Sequence, residues 1–134
     1  AIIAILAAIA IPAYNNYIKE ARLAKVTDHY ESAIRSTRSE LSKRIAVAAR
    51  AGTLSPLTLD TAALIAIINP ETRTAPGGGD AFVATAANDT TGAIGIRVAG
   101  TEPALTVAII RPAYLSADGG FATQASVSIN QNSL

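Results

Sequence analysis

The first fourteen residues, AIIAILAAIAIPAY, constrain this chain more than any other stretch, because they carry no charge and only Pro12 interrupts the run of Ala, Ile and Leu. A water-soluble domain does not usually expose so many apolar side chains at its terminus. As a helix rising about 1.5 Å per residue, the run would be ~20 Å long, less than the ~30 Å hydrocarbon core of a bilayer. We therefore expect it to be the end of a longer apolar helix that begins upstream of Ala1.

The helix is predicted to continue far beyond this run. Pro12 is the only proline before Pro56, and no glycine occurs before Gly52. We expect one helix over residues 1–52, with an apolar half at 1–18 and an amphipathic half at 19–52. In the second half, apolar residues recur at steps of three and four, which places them on one face of a helix. The residues expected to pack this face on a sheet are Leu23, Val26, Tyr30, Ile34, Leu41 and Ile45.

Two positions are expected to modify the helix. A proline inside a helix removes one backbone donor and clashes with the preceding turn, so Pro12 predicts a kink or local unwinding. Gly52 is suited to the position that follows the last helical residue, with Arg50 near the negative end of the helix dipole.

Residues 53–80 form a predicted connector between the helix and the rest of the chain. Asp60 could cap a short helix that runs to Ile68 and ends at Asn69 and Pro70, although so short an apolar run could also be a strand. A run of three glycines at 77–79 predicts a flexible turn.

Residues 81–134 form a predicted β head. Four segments, AFVATAA, GAIGIRVAG, ALTVAII and FATQASVSI, are separated by turn-forming residues, a spacing typical of an antiparallel meander. Ile94, Ile96 and Val98 alternate with other residues, as expected for a sheet with one apolar face. The predicted fold class is α+β, in which the C-terminal half of the long helix packs on an antiparallel sheet.

The sequence contains no group of residues typical of a catalytic, cofactor-binding or metal-binding site. Cysteine is absent, which excludes disulfides and thiolate metal ligands, and His29 is the only histidine. The GGGD at 77–80 lacks the Lys and Ser/Thr of a phosphate-binding loop, and no G-x-S-x-G occurs. We therefore expect a non-enzymatic protein without cofactors. The sequon Asn88-Asp89-Thr90 is a glycosylation candidate.

Charge is divided unevenly along the chain, although the formal net charge is only +1. Residues 19–50 carry eight Lys/Arg against four Asp/Glu, a net of +4, whereas residues 51–134 carry three against six, a net of −3. One interpretation is a solvated helix face. The other is attraction between the helix of one subunit and the head of another.

The segment AIIAILAAIAIPAYNNYIKEAR resembles the N-terminal helix of type IV pilins, in which an Ile/Ala/Leu-rich run ends in proline, a small residue and an aromatic, followed by an amphipathic helix. The match is closest over Ile2–Tyr14. The family's prepilin cleavage site, N-methylated first residue and acidic residue near the mature start would lie upstream of Ala1. The chain departs from many members in having Ala4 in place of Gly and no C-terminal disulfide.

This resemblance implies a pilin fold and a structural subunit of a pilus filament that supports adhesion, motility or DNA uptake. The subunit would reside in the inner membrane, meet the pilus assembly machinery, and then form a helical homopolymer outside the cell, a fimbrium. Apolar helices would pack together in its core, where small residues allow close approach. The expected filament-core residues are Ile2, Ile3, Ala4, Ile5, Leu6, Ala7, Ala8, Ile9, Ile11, Pro12 and Tyr14.

Two alternatives share this helix. One is a pseudopilin of a type II secretion system. The sequence argues against this alternative, because it has no acidic calcium-loop pattern near its C-terminus; Asp118 alone does not make such a loop. The other is a DNA-binding minor pilin. Nucleic acid is the less favoured partner, because the whole chain is nearly neutral. The basic residues that would serve this role are Arg35, Arg38, Lys43, Arg44 and Arg50.

Overall fold

The computed structural model describes residues 1–51, 59–100 and 104–133. Two α-helices precede a four-stranded sheet, and short 3₁₀ turns follow at Ser116–Asp118 and Gln131–Ser133. This is the predicted α+β fold class. The elements are α1 Ile2–Ala51, α2 Thr61–Ile68, β1 Phe82–Val83, β2 Ile94–Ala99, β3 Thr106–Arg111 and β4 Ala125–Asn130.

Helix α1 is a single helix of 50 residues that contains Pro12 in its interior. The local unwinding expected at Pro12 does not occur in the free chain. Proline removes one backbone hydrogen bond, and the residues on both sides stay helical, so the helix continues through this position. The proposed helix-ending residue, Gly52, lies outside the described residues.

Helix α2 forms as its sequence predicts, and the alternative strand is excluded. Asp60 has extended backbone geometry, and its side chain accepts a hydrogen bond of 2.7 Å from the N–H of Ala63. This satisfies one of the free donors at the helix start. At the other end, the Asn69 N–H donates to the carbonyl of Ile65 at 2.9 Å. Leu64 and Ile68 face inward and are buried.

The strands lie in the order β1-β2-β3-β4. Strands β2, β3 and β4 form the predicted antiparallel meander. The expectation of a wholly antiparallel sheet is wrong, however, because β1 runs parallel to β2, with Phe82 opposite Ile94. After β1 the chain passes closely over β2: a Cβ built on Gly95 would lie 2.7 Å from the backbone N of Ala87 and 2.9 Å from the carbonyl O of Thr85. This crossing brings the chain back to the end of the sheet at which β1 begins, so β2 can run in the same direction as β1.

The hydrophobic core lies between α1 and one face of the sheet, and α2 covers one side. Fully burying an Ile, Leu or Val side chain contributes about 1.5–3 kcal/mol, so this contact fixes the C-terminal half of α1 on the head. The residues that are at most 4% exposed include Val26, Ala33, Leu41, Leu64, Ile94, Ile96, Val107, Ile109, Tyr114 and Ile129.

Candidate assembly surface

The N-terminal part of α1 projects beyond the core and presents large apolar side chains to the outside. Eight of them are 60–82% exposed: Ile2, Ile3, Ile5, Leu6, Ile9, Ile11, Tyr14 and Tyr17. We call residues 2–18 the apolar half of α1. Within the described part of the chain, no other element covers these eight side chains.

The predicted filament-core residues all lie in this apolar half. Of the small ones, Ala4, Ala8 and Pro12 are exposed and Ala7 is half-buried. No charged side chain occurs before Lys19, and over residues 2–13 the helix is apolar on every side; its first polar side chains are the exposed Asn15 and Asn16. Alanines between the isoleucines leave room for a second helix to approach closely.

Helix α1 is also long and apolar enough to cross a membrane, by length and composition. None of its most apolar 18-residue stretch is buried in the fold. The core helix of a soluble protein would be mostly buried, and this stretch is not. A signal sequence close to an N-terminus meets the same criterion.

The structure distributes the predicted helix-to-sheet residues over three environments. Val26 and Leu41 are fully buried. Leu23, Tyr30 and Ile34 are partly buried and pack against the core. Ile45, by contrast, is 36% exposed. Four residues of an α-helix turn through about 40° more than one full turn. Ile45, four residues after Leu41, therefore lies toward the edge of the buried face of α1.

Two polar residues of α1 are buried against the head and were not among the predicted packing residues. His29 is 2% exposed and Thr37 is 0% exposed, and neither the His29 Nδ1 nor the Thr37 Oγ1 has a hydrogen-bond partner. Their spacing from Val26, Ala33 and Leu41 follows the same steps of three and four, so the helical periodicity alone could have identified them.

Burial and nearby charge alter the titration of two α1 side chains. Burial lowers the pKa of His29 below its ordinary value of 6.5, the positive charges of Arg73 and Lys25 lower it further, and Asp28 opposes them. Burial raises the pKa of Tyr30, which Arg111 partly offsets. In the described ranges, no group of three or more His, Asp or Glu side chains is placed to hold a metal ion.

The basic residues considered for nucleic acid lie along the C-terminal half of α1. Arg35, Arg38, Lys43 and Arg50 are exposed. Arg44 is less exposed and pairs with Glu40, its Nε lying 3.2 Å from Oε1.

The sequon Asn88-Asp89-Thr90 lies in an exposed turn after β1. The Asn88 Oδ1 accepts hydrogen bonds from the N–H of Thr90 at 2.9 Å and of Thr91 at 3.2 Å. The side chain thereby stabilises the turn in which it stands.

No family model, curated protein or solved structure matches this chain. The long apolar N-terminal helix followed by a small sheet is consistent with a pilin-like shape.

Proposed function

We propose that this chain is a structural subunit of a type IV pilus filament, assembled by packing of the apolar half of α1 between copies. The observation that carries the proposal is the exposure of large apolar side chains along residues 2–18, at the end of the helix that projects from a folded head. The resemblance of Ile2–Tyr14 to pilin helices supports it.

The energetics favour association of this surface. Removing one Ile or Leu side chain from water contributes about 1.5–3 kcal/mol, and association costs an estimated 4–15 kcal/mol in lost freedom. Several such side chains therefore outweigh the cost. The same surface is compatible with lipid before assembly and with neighbouring helices after it, because neither requires a polar group on the helix surface.

The proposal includes partners and location. The subunit would be held in the inner membrane, transferred by the pilus assembly machinery, and incorporated into an extracellular homopolymer that serves adhesion, motility or DNA uptake. Its role would be mechanical, without catalysis or a cofactor. Support comes from the separation of the chain into an apolar helix half and a packed head.

Assembly can be tested by removing detergent from the purified chain and examining the product by electron microscopy and sedimentation. Long uniform fibres are expected for the whole chain, and monomers for a chain shortened to begin at Lys19. Short stubs from the whole chain would favour the pseudopilin alternative. Fibres from the shortened chain would contradict the proposal, because the apolar half of α1 could not then be their core.

Two matched substitutions test whether assembly depends on the apolar half of α1 or on any exposed apolar side chain. Ile9 is 70% exposed on α1, and Ile67 is 42% exposed on α2. Ile9→Gln should reduce the amount of sedimenting fibre, because it places a polar amide among packed helices, whereas Ile67→Gln should leave it close to that of the unsubstituted chain. Equal losses in the two variants would show that the apolar half of α1 has no special part in assembly.

A further inference from the structure

A buried imidazole lies in the joint between α1 and the head. The His29 side chain is 2% exposed, and its ring centroid lies 5.6 Å from that of Phe82, with the planes tilted by 48°. Phe82 is itself buried and opens β1. The Nδ1 of His29 has no hydrogen-bond partner. A polar nitrogen is therefore held in an apolar contact that does not satisfy it.

Arg73 joins the same contact from the connection between α2 and β1. Its Cζ lies 5.6 Å from the centroid of the Phe82 ring. Its Nη2 donates to the Ser32 Oγ at 3.3 Å, and its backbone N–H donates to the Asn69 Oδ1 at 2.9 Å. Ser32 is three residues after His29, so Arg73 links the end of α2 and the start of β1 to α1 close to the imidazole. We call His29, Ser32, Arg73 and Phe82 the joint cluster.

We infer that the joint cluster is an acid-sensitive contact, in which uptake of a proton by His29 weakens the attachment of Phe82 and Arg73 to α1. A protonated imidazole has two N–H donors and a full charge, and the site offers no acceptor for Nδ1. An unsatisfied buried charge is costly. The contact is therefore more stable with neutral His29 than with its cation.

The charges around His29 reinforce this difference. Arg73, from the connection between α2 and β1, and Lys25, from the preceding turn of α1, both oppose a second positive charge. Asp28 is the one described acid that favours the cation, and it is an exposed side chain with the smallest of these effects. Arg111 of β3 acts on Tyr30, not on His29. The connection between α2 and β1 thus repels the imidazolium through Arg73.

The direction of the pH effect follows from this environment. Burial, and then Arg73 and Lys25, hold the pKa of His29 in the folded chain below 6.5, so a state in which the joint has opened binds the proton first. The contact has its full strength above pH 6.5. It weakens as the pH falls from 6.5 toward the lowered pKa, and it changes no further below that value.

The weakening should be local, because β2 and β3 meet α1 through a different set of side chains. Ile96, Val107 and Ile109 are fully buried apolar residues, and no proton changes their packing. Acid should loosen the corner formed by α2 and β1 and leave the meander on α1. The inference rests on contacts within one chain and is independent of filament assembly.

The whole chain in detergent micelles provides the test, because its single histidine gives one imidazole Cε1–H signal in NMR. The His29 titration midpoint should lie below 6.5. Hydrogen exchange gives a local readout at Ala81, whose N–H donates to the Arg73 carbonyl at 3.2 Å. After correction for intrinsic exchange, protection at Ala81 should fall several-fold with acid while protection at Val107 stays nearly constant. A midpoint at or above 6.5 would overturn the inference.

Three variants complete the experiment. His29→Phe keeps an aromatic ring and cannot take up a proton, so Ala81 protection should lose its acid dependence. Arg73→Gln removes the opposing charge that faces His29 from outside α1 and should raise the His29 midpoint. Arg35→Gln, at an exposed position of α1, should leave the midpoint unchanged. Should His29→Phe not fold, the His29 titration midpoints of the two arginine variants still test the inference. Acid dependence that persists in His29→Phe, or equal midpoint shifts in the arginine variants, would refute the mechanism.

Discussion

The Oδ1 atom of Asp89 accepts a hydrogen bond of 2.8 Å from the backbone N–H of Ala113. The same oxygen accepts a bond of 3.2 Å from the Nε2 of Gln124, so one carboxylate holds both ends of the segment between β3 and β4. At the end of β3, the Cζ of Arg111 lies 3.9 Å from the centroid of the Phe121 ring, which belongs to that segment. These contacts close the C-terminal loop in a chain that has no cysteine.

Replacing Asp89 should therefore open this loop. Asp89→Ala leaves the Ala113 N–H without its acceptor and should lower the free energy of unfolding by about 1–3 kcal/mol. Asp89→Asn keeps an Oδ1 acceptor and should retain much of the stability. Urea unfolding in micelles, with hydrogen exchange at Ala113, measures both. If the two variants were equally stable, the bond to Ala113 would not hold the loop.

A buried hydroxyl without a partner gives a prediction of the opposite sign. Thr37 is 0% exposed and its Oγ1 makes no hydrogen bond, so Thr37→Val should leave the free energy of unfolding unchanged or raise it. Thr61 is the matched control, because its Oγ1 accepts from the N–H of Val98 at 3.2 Å. Thr61→Val should cost about 1 kcal/mol. Urea unfolding of both variants is the measurement, and equal losses would contradict the account.

The parallel pairing of β1 depends on the close approach at Gly95. In Gly95→Ala the added methyl would meet backbone atoms of Thr85 and Ala87, which cannot rotate away, so we expect a loss of about 1–3 kcal/mol in unfolding free energy. Arg97→Ala, at an exposed position of the same strand, should change it by less than about 0.5 kcal/mol. If Gly95→Ala left the free energy of unfolding unchanged, the chain would not pass this closely over β2 at Gly95.

Local signals in the sequence were sufficient for several elements. Asp60 before an apolar run and Asn69-Pro70 after it indicated a helix within a residue of the observed ends of α2, although a strand remained the alternative. Alternation at Ile94, Ile96 and Val98 identified β2. These features are encoded by residues a few positions apart, so capping and periodicity rules can detect them.

Features that depend on distant residues were not predictable in the same way. The parallel direction of β1 depends on contacts between Gly95 and the segment before it, which no period reveals. The contact between His29 and Phe82 joins residues far apart in the sequence. The exposed apolar half of α1, in contrast, follows directly from a run without charges.

Pro12 provides a prediction about the assembled state. It lies in continuous helix in the free chain, and proline inside a helix costs about 3 kcal/mol or more. We expect residues 8–12 to leave regular helix in the filament, where neighbours can accommodate the freed backbone, and to make the fibre extensible. Pro12→Ala should then stiffen it or hinder assembly, as measured by force-extension of single fibres. Identical extensibility of the two fibres would argue against this role.

A helical reconstruction of the fibre by electron cryomicroscopy tests the central claim most directly, because it locates every subunit's apolar half of α1. The account predicts that residues 2–18 of neighbouring copies pack together along the filament axis, with Ile3 and Ile9, 82% and 70% exposed in the free chain, buried against other helices and the heads outside. A fibre held together by its heads, with residues 2–18 outside the core, would contradict it.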